Sequence, residues 1–307
     1  MTLAPVARIP LPPHTAEGGF DHAAVHVGLA RLFVAHTSND CVEVVDLRTH
    51  TYLGSIPSLP GVAGVWVAEE PAMLFTSNRG EDTASVFEIG TQGERFRFAT
   101  GRRPNGLGFD PARRRLLVAG VGESGRGEPP SATVFDADVG AVRNRFPLPG
   151  RTRWTLYHSA TDAFYVNIAD PPGVVEIDAR DPDGVRRFLD VPAVGPHGLE
   201  QDPDGRTLYC ACDDGQLATV DLPSGEVRSA GALSGAPDVL WLDPRRRRLY
   251  CAIGSPGTVD VFRTDPLGRI ETVATSEGAH TLTVDPSSGE VHVFLPDSHE
   301  DLVLGER

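Results

Sequence analysis

The segment NGLGFDPARRRLLVAG, Asn105 to Gly120, recurs as HGLEQDPDGRTLYCAC from His197, DVLWLDPRRRRLYCAI from Asp238 and HTLTVDPSSGEVHVFL from His280. The Asp-Pro pairs begin at Asp110, Asp202, Asp243 and Asp285, which are 92, 41 and 42 residues apart, so the first gap holds two units. The unit inside it is RWTLYHSATDAFYVN, Arg153 to Asn167, with His158-Ser159 in place of Asp-Pro. Two degenerate copies lie upstream, DHAAVHVGLARLFVAH from Asp21 and VAGVWVAEEPAMLFTS from Val62. The chain is therefore seven units of about 44 residues, a period in the range of propeller blades.

Each unit has the same internal order. An apolar strand enters an Asp-Pro turn, a second strand follows (LLVAG, TLYCAC, RLYCAI), and a loop leads to a third (CVEVVDL, TASVFEI, TVDVF). A fourth, alternating strand ends near Pro or Gly, as in RFPLPG from Arg145. Four antiparallel strands repeated seven times predict an all-β, seven-bladed β-propeller that occupies residues 1–307 as a single domain. The seventh unit has strands at 290–295 and 301–304 and lacks a fourth. Ile9-Pro10-Leu11-Pro12 copies Phe146-Pro147-Leu148-Pro149, so residues 6–13 are expected to complete that last blade and cover its open edge.

Composition agrees with this reading and narrows the function. Gly 33 and Pro 26 among 307 residues suit many short strands, and 40% apolar residues supply a core. Asp plus Glu outnumber Lys plus Arg 42 to 28, a net charge of −14 that repels nucleic acid and acidic membranes. No apolar run is long enough to span a bilayer, and residues 1–14 lack the pattern of a secretory signal, so the expectation is a cytoplasmic protein, a monomer or weak homo-oligomer. Cys41, Cys210, Cys212 and Cys251 contain no C-x-x-C and read as buried thiols.

The runs RLFVAHTSNDCVEVVDLRTHTYLGSI (31–56) and MLFTSNRGEDTASVFEIGTQGERFRFATGRRPNGLGFDP (73–111) resemble YVTN-type β-propeller repeats in their order of strand, Asn/Asp-rich loop, strand and G-x-x-P. EGAHTLTVDPSSGEVHVFLP (277–296) is similar to the last blade of single-domain members of that family. A more local likeness is chemical. PNGLGFDPARRRLLVAG from Pro104 resembles the PNGLAFSPDG segment of gluconolactonase-type propellers, which implies a metal-ligand position at Asn105. PHGLEQDPDGRTLYCA from Pro196 is similar to that family's PDGLAVD segment, with His197 standing where the family carries an aspartate ligand.

Aligning the units on Asp-Pro puts Asn105, Arg153, His197, Asp238 and His280 at equivalent entries to the inner strands of blades three to seven, with Asp21 or His22 in blade one and Val62 or Ala63 in blade two. Side chains at these entries face the channel mouth. His22, His197 and His280 are expected to offer imidazoles to one ion, and such a donor set suits a divalent transition metal such as Zn, Mn or Fe. Asp238 is then a general base or a further ligand, and Arg153 is placed to hold a carboxylate or enolate. Asn105, Glu123 from the long loop GVGESGRGEPPS, and Trp154 are the expected substrate contacts.

The resulting expectation is a small-molecule enzyme with its site at the channel mouth, a metal-dependent hydrolase of lactones or esters, or a lyase. The same register also accommodates a metal-free polar ligand pocket or a solvated channel, and a non-catalytic binding or scaffold propeller is the competing class. No nucleotide or flavin motif is present.

Overall fold

In the computed structural model, which describes residues 2–91 and 93–307, seven separate four-stranded antiparallel sheets follow one another along the chain. Six of them keep chain order from inner to outer strand. Their inner strands are Phe20–His26, Val62–Ala68, Pro104–Asp110, Thr152–His158, Pro196–Gln201 and Pro237–Asp243, and that of blade seven is Thr281–Val284. Two single 3-10 turns, Thr37–Asn39 and Ser124–Arg126, are the helical elements among the described residues. No helix there is long and apolar enough to cross a membrane.

The recurring Asp-Pro explains itself in the turn between first and second strands. Oδ1 of Asp110 accepts the N–H groups of Ala112 and Arg113 at 3.0 and 3.2 Å, and Oδ1 of Asp243 accepts those of Arg245 and Arg246 at 2.9 and 3.1 Å. Proline sets the backbone of the following residue, so the pair builds the turn locally before any tertiary contact forms. Arg113 and Arg246 then fold back on their own aspartates at 2.8 and 2.9 Å.

Blade seven is closed from the other end of the chain. Leu3–Pro10 pairs antiparallel with Glu300–Glu306, in a sheet whose further members are Val291–Leu295 and Thr281–Val284. This strand begins three residues before the expected stretch and ends at Pro10, although Leu11 still donates its N–H to the carbonyl of His299 at 2.8 Å. Pro12 and Pro13 have no N–H to continue the ladder, whereas Pro5 and Pro10 are tolerated on an outermost strand. Strands alternate between apolar faces that pack blade against blade. Ile9 of the closing strand lies with Phe20, Leu32, Val34 and Phe294, bridging blades seven and one. The four cysteines are buried free thiols.

Ile9 is 1% exposed and Val6 47% exposed on the same strand. In urea denaturation, Ile9→Ala is expected to cost about 2–4 kcal/mol. Val6→Ala is expected to stay within about 0.5 kcal/mol. Equal effects would mean that the closing strand does not pack as described.

Candidate functional site

At the channel mouth the inner strands of blades one to six break register just after their first residue, while that of blade seven does not. Pro104 pairs with Gly120 but Leu107 with Val118, Thr152 with Ile168 but Thr155 with Val166, and Pro237 with Ile253 but Leu240 with Cys251. In blade five, Pro196 pairs with Cys212 and Gly198 already with Ala211. One residue is thus extra on the inner strand, which is the signature of a β-bulge, and a bulge re-aims side chains. Asn105, Arg153, His197 and Asp238 occupy these bulges, as do Asp21 and His22 in blade one, where Phe20 pairs with His36 and Ala23 with Val34. The carbonyls freed by the bulge are capped from the preceding blade. Asn167 Nδ2 donates to the carbonyls of His197 and Gly198 at 2.8 and 3.1 Å, and Ser77 Oγ donates to that of Asn105 at 2.8 Å while accepting the Gly64 N–H. Gly64 is obligatory here, because an added Cβ would lie 2.1 Å from the Asn105 carbonyl oxygen.

The bulge residues meet in a cavity of about 170 Å³ lined by Asp21, His22, Arg79, Arg103, Asn105, Val121, Arg151, Thr152, Arg153, His197 and Asp238. Asp238 is its hub. His197 Nε2 lies 2.8 Å from Oδ1 of Asp238, and His280 Nε2 lies 3.8 Å from Oδ2. His197 Nδ1 lies 2.8 Å from Asp213 Oδ1, whose second oxygen receives Arg153 Nη2 at 3.2 Å. Both ring nitrogens of His197 therefore face carboxylates. Burial pulls its pKa down, but the charges and hydrogen bonds of Asp238 and Asp213 outweigh this and push it up to about 9, so the ring is an imidazolium at neutral pH. Burial likewise opposes ionisation of Asp238, and the charge and hydrogen bond of His197 above all overcome it and hold the carboxyl well below the usual range.

His22 stands apart in chemistry. Burial lowers its pKa and leaves the ring neutral. It lies against the indole of Trp154, ring centroids 4.2 Å apart. These residues come from blades one and four, so their contact spans the channel. Trp154, expected as a substrate contact, is 6% exposed and forms this contact instead.

The structure gathers Asn105, Arg153, His197 and Asp238 around the cavity, with His280 adjacent, and it places Glu123 elsewhere. Arg102, itself held by Asp82, draws Glu123 away at 2.9 Å, and the Glu123 backbone bridges to Glu128. Blade three's loop contributes Val121 to the wall instead. The three metal-ligand candidates, His22, His197 and His280, surround the Asp238 carboxylate. Among the described residues the one group of three ligand-type atoms within 4.8 Å of one another is His36, Cys41 and Glu43, outside the mouth.

What alignment on one residue per blade missed is the arginines. Arg79 follows the second strand of blade two and fills the place where Val62 and Ala63 offer nothing polar. It reaches Asp21 at 3.1 Å and donates to Asn105 Oδ1. Arg103 and Arg151 precede the inner strands of blades three and four, in GRRPN and GRTRW. The signal was a basic residue just before the strand, one or two places from the aligned column. Neither the Arg103 nor the Arg151 guanidinium has a carboxylate partner among the described residues. Burial and the nearby Arg153 and Arg103 lower the pKa of Arg151. Nε of Arg79, Nε of Arg153 and Oγ1 of Thr152 are buried without a hydrogen-bond partner. Four arginines and the His197 imidazolium face Asp21, Asp213 and Asp238, so the mouth carries an excess of two positive charges in a chain whose net charge is −14.

No protein-family model and no curated protein sequence matches the chain. Among solved structures, it superposes on a chain of the hydrazine synthase of Kuenenia stuttgartiensis with a TM-score of 0.82 at 16% identity, covering 96% of this chain and 97% of that one. At that identity the likeness is one of fold.

The folded pKa of His197 exceeds its ordinary value, so its ion pairs stabilise the fold fully below about pH 6.5 and the contribution fades as pH rises through about 9. Between those limits wild type should lose stability relative to His197→Gln, measured as the difference in urea midpoint. A pH-independent difference would show that the imidazolium is not formed.

Proposed function

We propose that the channel mouth binds a small organic anion, one carrying a carboxylate or phosphate group, and that this cationic cavity is the functional site of a small-molecule-binding propeller. The observation that carries the reading is the pair of arginines, Arg103 and Arg151, that enter the cavity with no carboxylate partner among the described residues, beside Arg153 and a charged His197. Guanidinium groups match planar oxyanions geometrically, and Arg103 and Arg151, both exposed at the mouth, can turn their donors to a ligand that accepts them. The orphaned Arg79 Nε, Arg153 Nε and Thr152 Oγ1 add donors of the same kind. Arg153 keeps the role expected from its position, holding the anionic group, and Asn105 orients Arg79. We keep the YVTN-type reading of the repeats on the segments quoted above.

A metal-dependent hydrolase or lyase at this place requires His22, His197 and His280 to present lone pairs to one ion. His197 has both nitrogens on carboxylates and carries a proton on each, so it has no lone pair to offer, while His280 donates from Nδ1 to the Gly278 carbonyl, 2.8 Å away, which leaves Nε2 as its one lone pair. Protein cations in place of a bound cation account for the pocket more economically, and any proton transfer to a bound anion falls to His197, the acid nearest Arg153.

Calorimetric titration with small mono- and dicarboxylates and with inorganic phosphate tests the proposal. Binding should weaken by roughly 10- to 100-fold in Arg151→Ala or Arg153→Ala, the magnitude of one charge-assisted hydrogen bond. It should also weaken with added salt and above pH 9. Affinities unchanged by both substitutions would refute an anion site at the mouth.

A further inference from the structure

A second group of imidazoles lies where the N-terminal segment crosses onto the ring, and its members are not among the residues that line the mouth cavity. His14, just beyond the closing strand, places Nδ1 2.7 Å from Nε2 of His36 and 3.0 Å from Oγ of Ser38. Its ring meets that of His299 edge-on, centroids 4.5 Å apart. His36 is fully buried and sets its Nδ1 2.7 Å from Oε1 of Glu43. Glu43, also fully buried, takes three more groups: Cys41 Sγ at 3.3 Å on Oε1, and Tyr52 OH at 2.9 Å and Ser55 Oγ at 2.6 Å on Oε2.

These contacts determine where the protons are. Burial works against ionisation of Glu43, but the hydrogen bonds from His36, Ser55, Cys41 and Tyr52 outweigh it and hold the carboxyl below its usual range. An ionised carboxylate only accepts, so His36 donates from Nδ1, and in the singly protonated ring Nε2 is then the lone pair. That lone pair accepts the Nδ1–H of His14. His14 Nε2 is then a bare lone pair as well, and it is buried with no hydrogen-bond partner among the described residues. Nδ1 of His299, on the neighbouring ring, is also buried with none. Two partnerless imidazole nitrogens on adjacent rings are a cost that a bound group would remove.

We propose that His14 and His299 bind a divalent transition-metal ion at this seam, through Nε2 of His14 and Nδ1 of His299, with solvent completing the shell. Imidazole donors select Zn, Cu or Ni over Ca or Mg. The Glu43–His36–His14 chain is the supporting arrangement that metal-bound histidines use, an acceptor behind the ring that fixes tautomer and orientation. Burial above all, then His36 and His299, lower the pKa of His14, while the backbone carbonyl of Pro296 and the charge of Asp297 act in the opposite direction. The His36, Cys41 and Glu43 atoms are close enough to attract attention as a site themselves. They are already spent: their contacts are hydrogen bonds to one carboxylate, and burial and Glu43 push the Cys41 thiol up to about 12, far from the thiolate a metal needs. Because His14 belongs to the N-terminal segment and His299 to the last loop of blade seven, an ion here would tie the chain ends together beside the closing strand.

The full chain, stripped with a chelator, is titrated separately with Zn(II), Ni(II) and Cu(II) salts and melted with and without each ion. One equivalent should bind and raise Tm, since an ion that binds only the folded state stabilises it. His14→Ala and His299→Ala should each weaken binding by more than the roughly 100-fold that loss of a supporting partner costs, and remove the rise in Tm. Far-UV circular dichroism and retained carboxylate binding at the mouth verify that each variant is folded. Cu(II)-loaded wild type should show nitrogen hyperfine coupling from two imidazoles. Absence of binding in wild type overturns the proposal. So does binding that survives in both variants, and loss in His197→Ala/His280→Ala instead would move the ion to the channel.

Discussion

The backbone pairing of Leu3–Pro10 with Glu300–Glu306 joins the two ends of the chain, and the channel mouth exists only because that pairing closes the ring. Open, the seventh sheet would expose a strand edge, and blade one would have no partner on one side. Closed, Ile9 sits among Phe20, Leu32 and Phe294, which packs blade one against blade seven. His22 can then rest on Trp154 across the channel. The same closure brings His14 and His299, 285 positions apart in sequence, edge to edge.

Within the ring, the bulges at the inner-strand entries decide what the mouth contains. A regular ladder would alternate those side chains between neighbouring blades. The extra residue in each strand turns Asn105, Arg153, His197 and Asp238 into the mouth, and the freed carbonyls are taken up by Asn167 and Ser77 from the blade before. Backbone irregularity and polar lining are thus one feature. Its electrostatic outcome runs against the whole-chain charge: a surface that repels anions at long range carries, at its centre, arginines with unspent donors. Screening over about 8–10 Å lets the local excess govern a ligand once it has entered.

Most of the architecture was legible from the Asp-Pro period, because Asp110 and Asp243 build their turns from neighbours two and three residues away, and local chemistry leaves a local pattern. The closing strand was legible too, displaced by three residues, since the similarity of Ile9-Pro10-Leu11-Pro12 to blade three marks an outer strand but not where pairing begins. The entry column found the residues that a bulge re-aims. It could not find Arg79, Arg103 or Arg151, which reach the same point from loops, nor separate Glu123 from the cavity, since the Arg102–Asp82 pairing that draws it away is a contact between blades.

The sequence by itself determined a ring of seven four-stranded blades and the column of polar residues at its mouth, for both follow from a repeat whose chemistry lies within each unit. Only the tertiary structure decided what those residues are to one another. His197 reads as a neutral imidazole in isolation and becomes a cation between Asp213 and Asp238, and Glu43 decides which nitrogen of His36 donates. Those states depend on burial and on charges brought in from other strands, and neither quantity is carried by residue order.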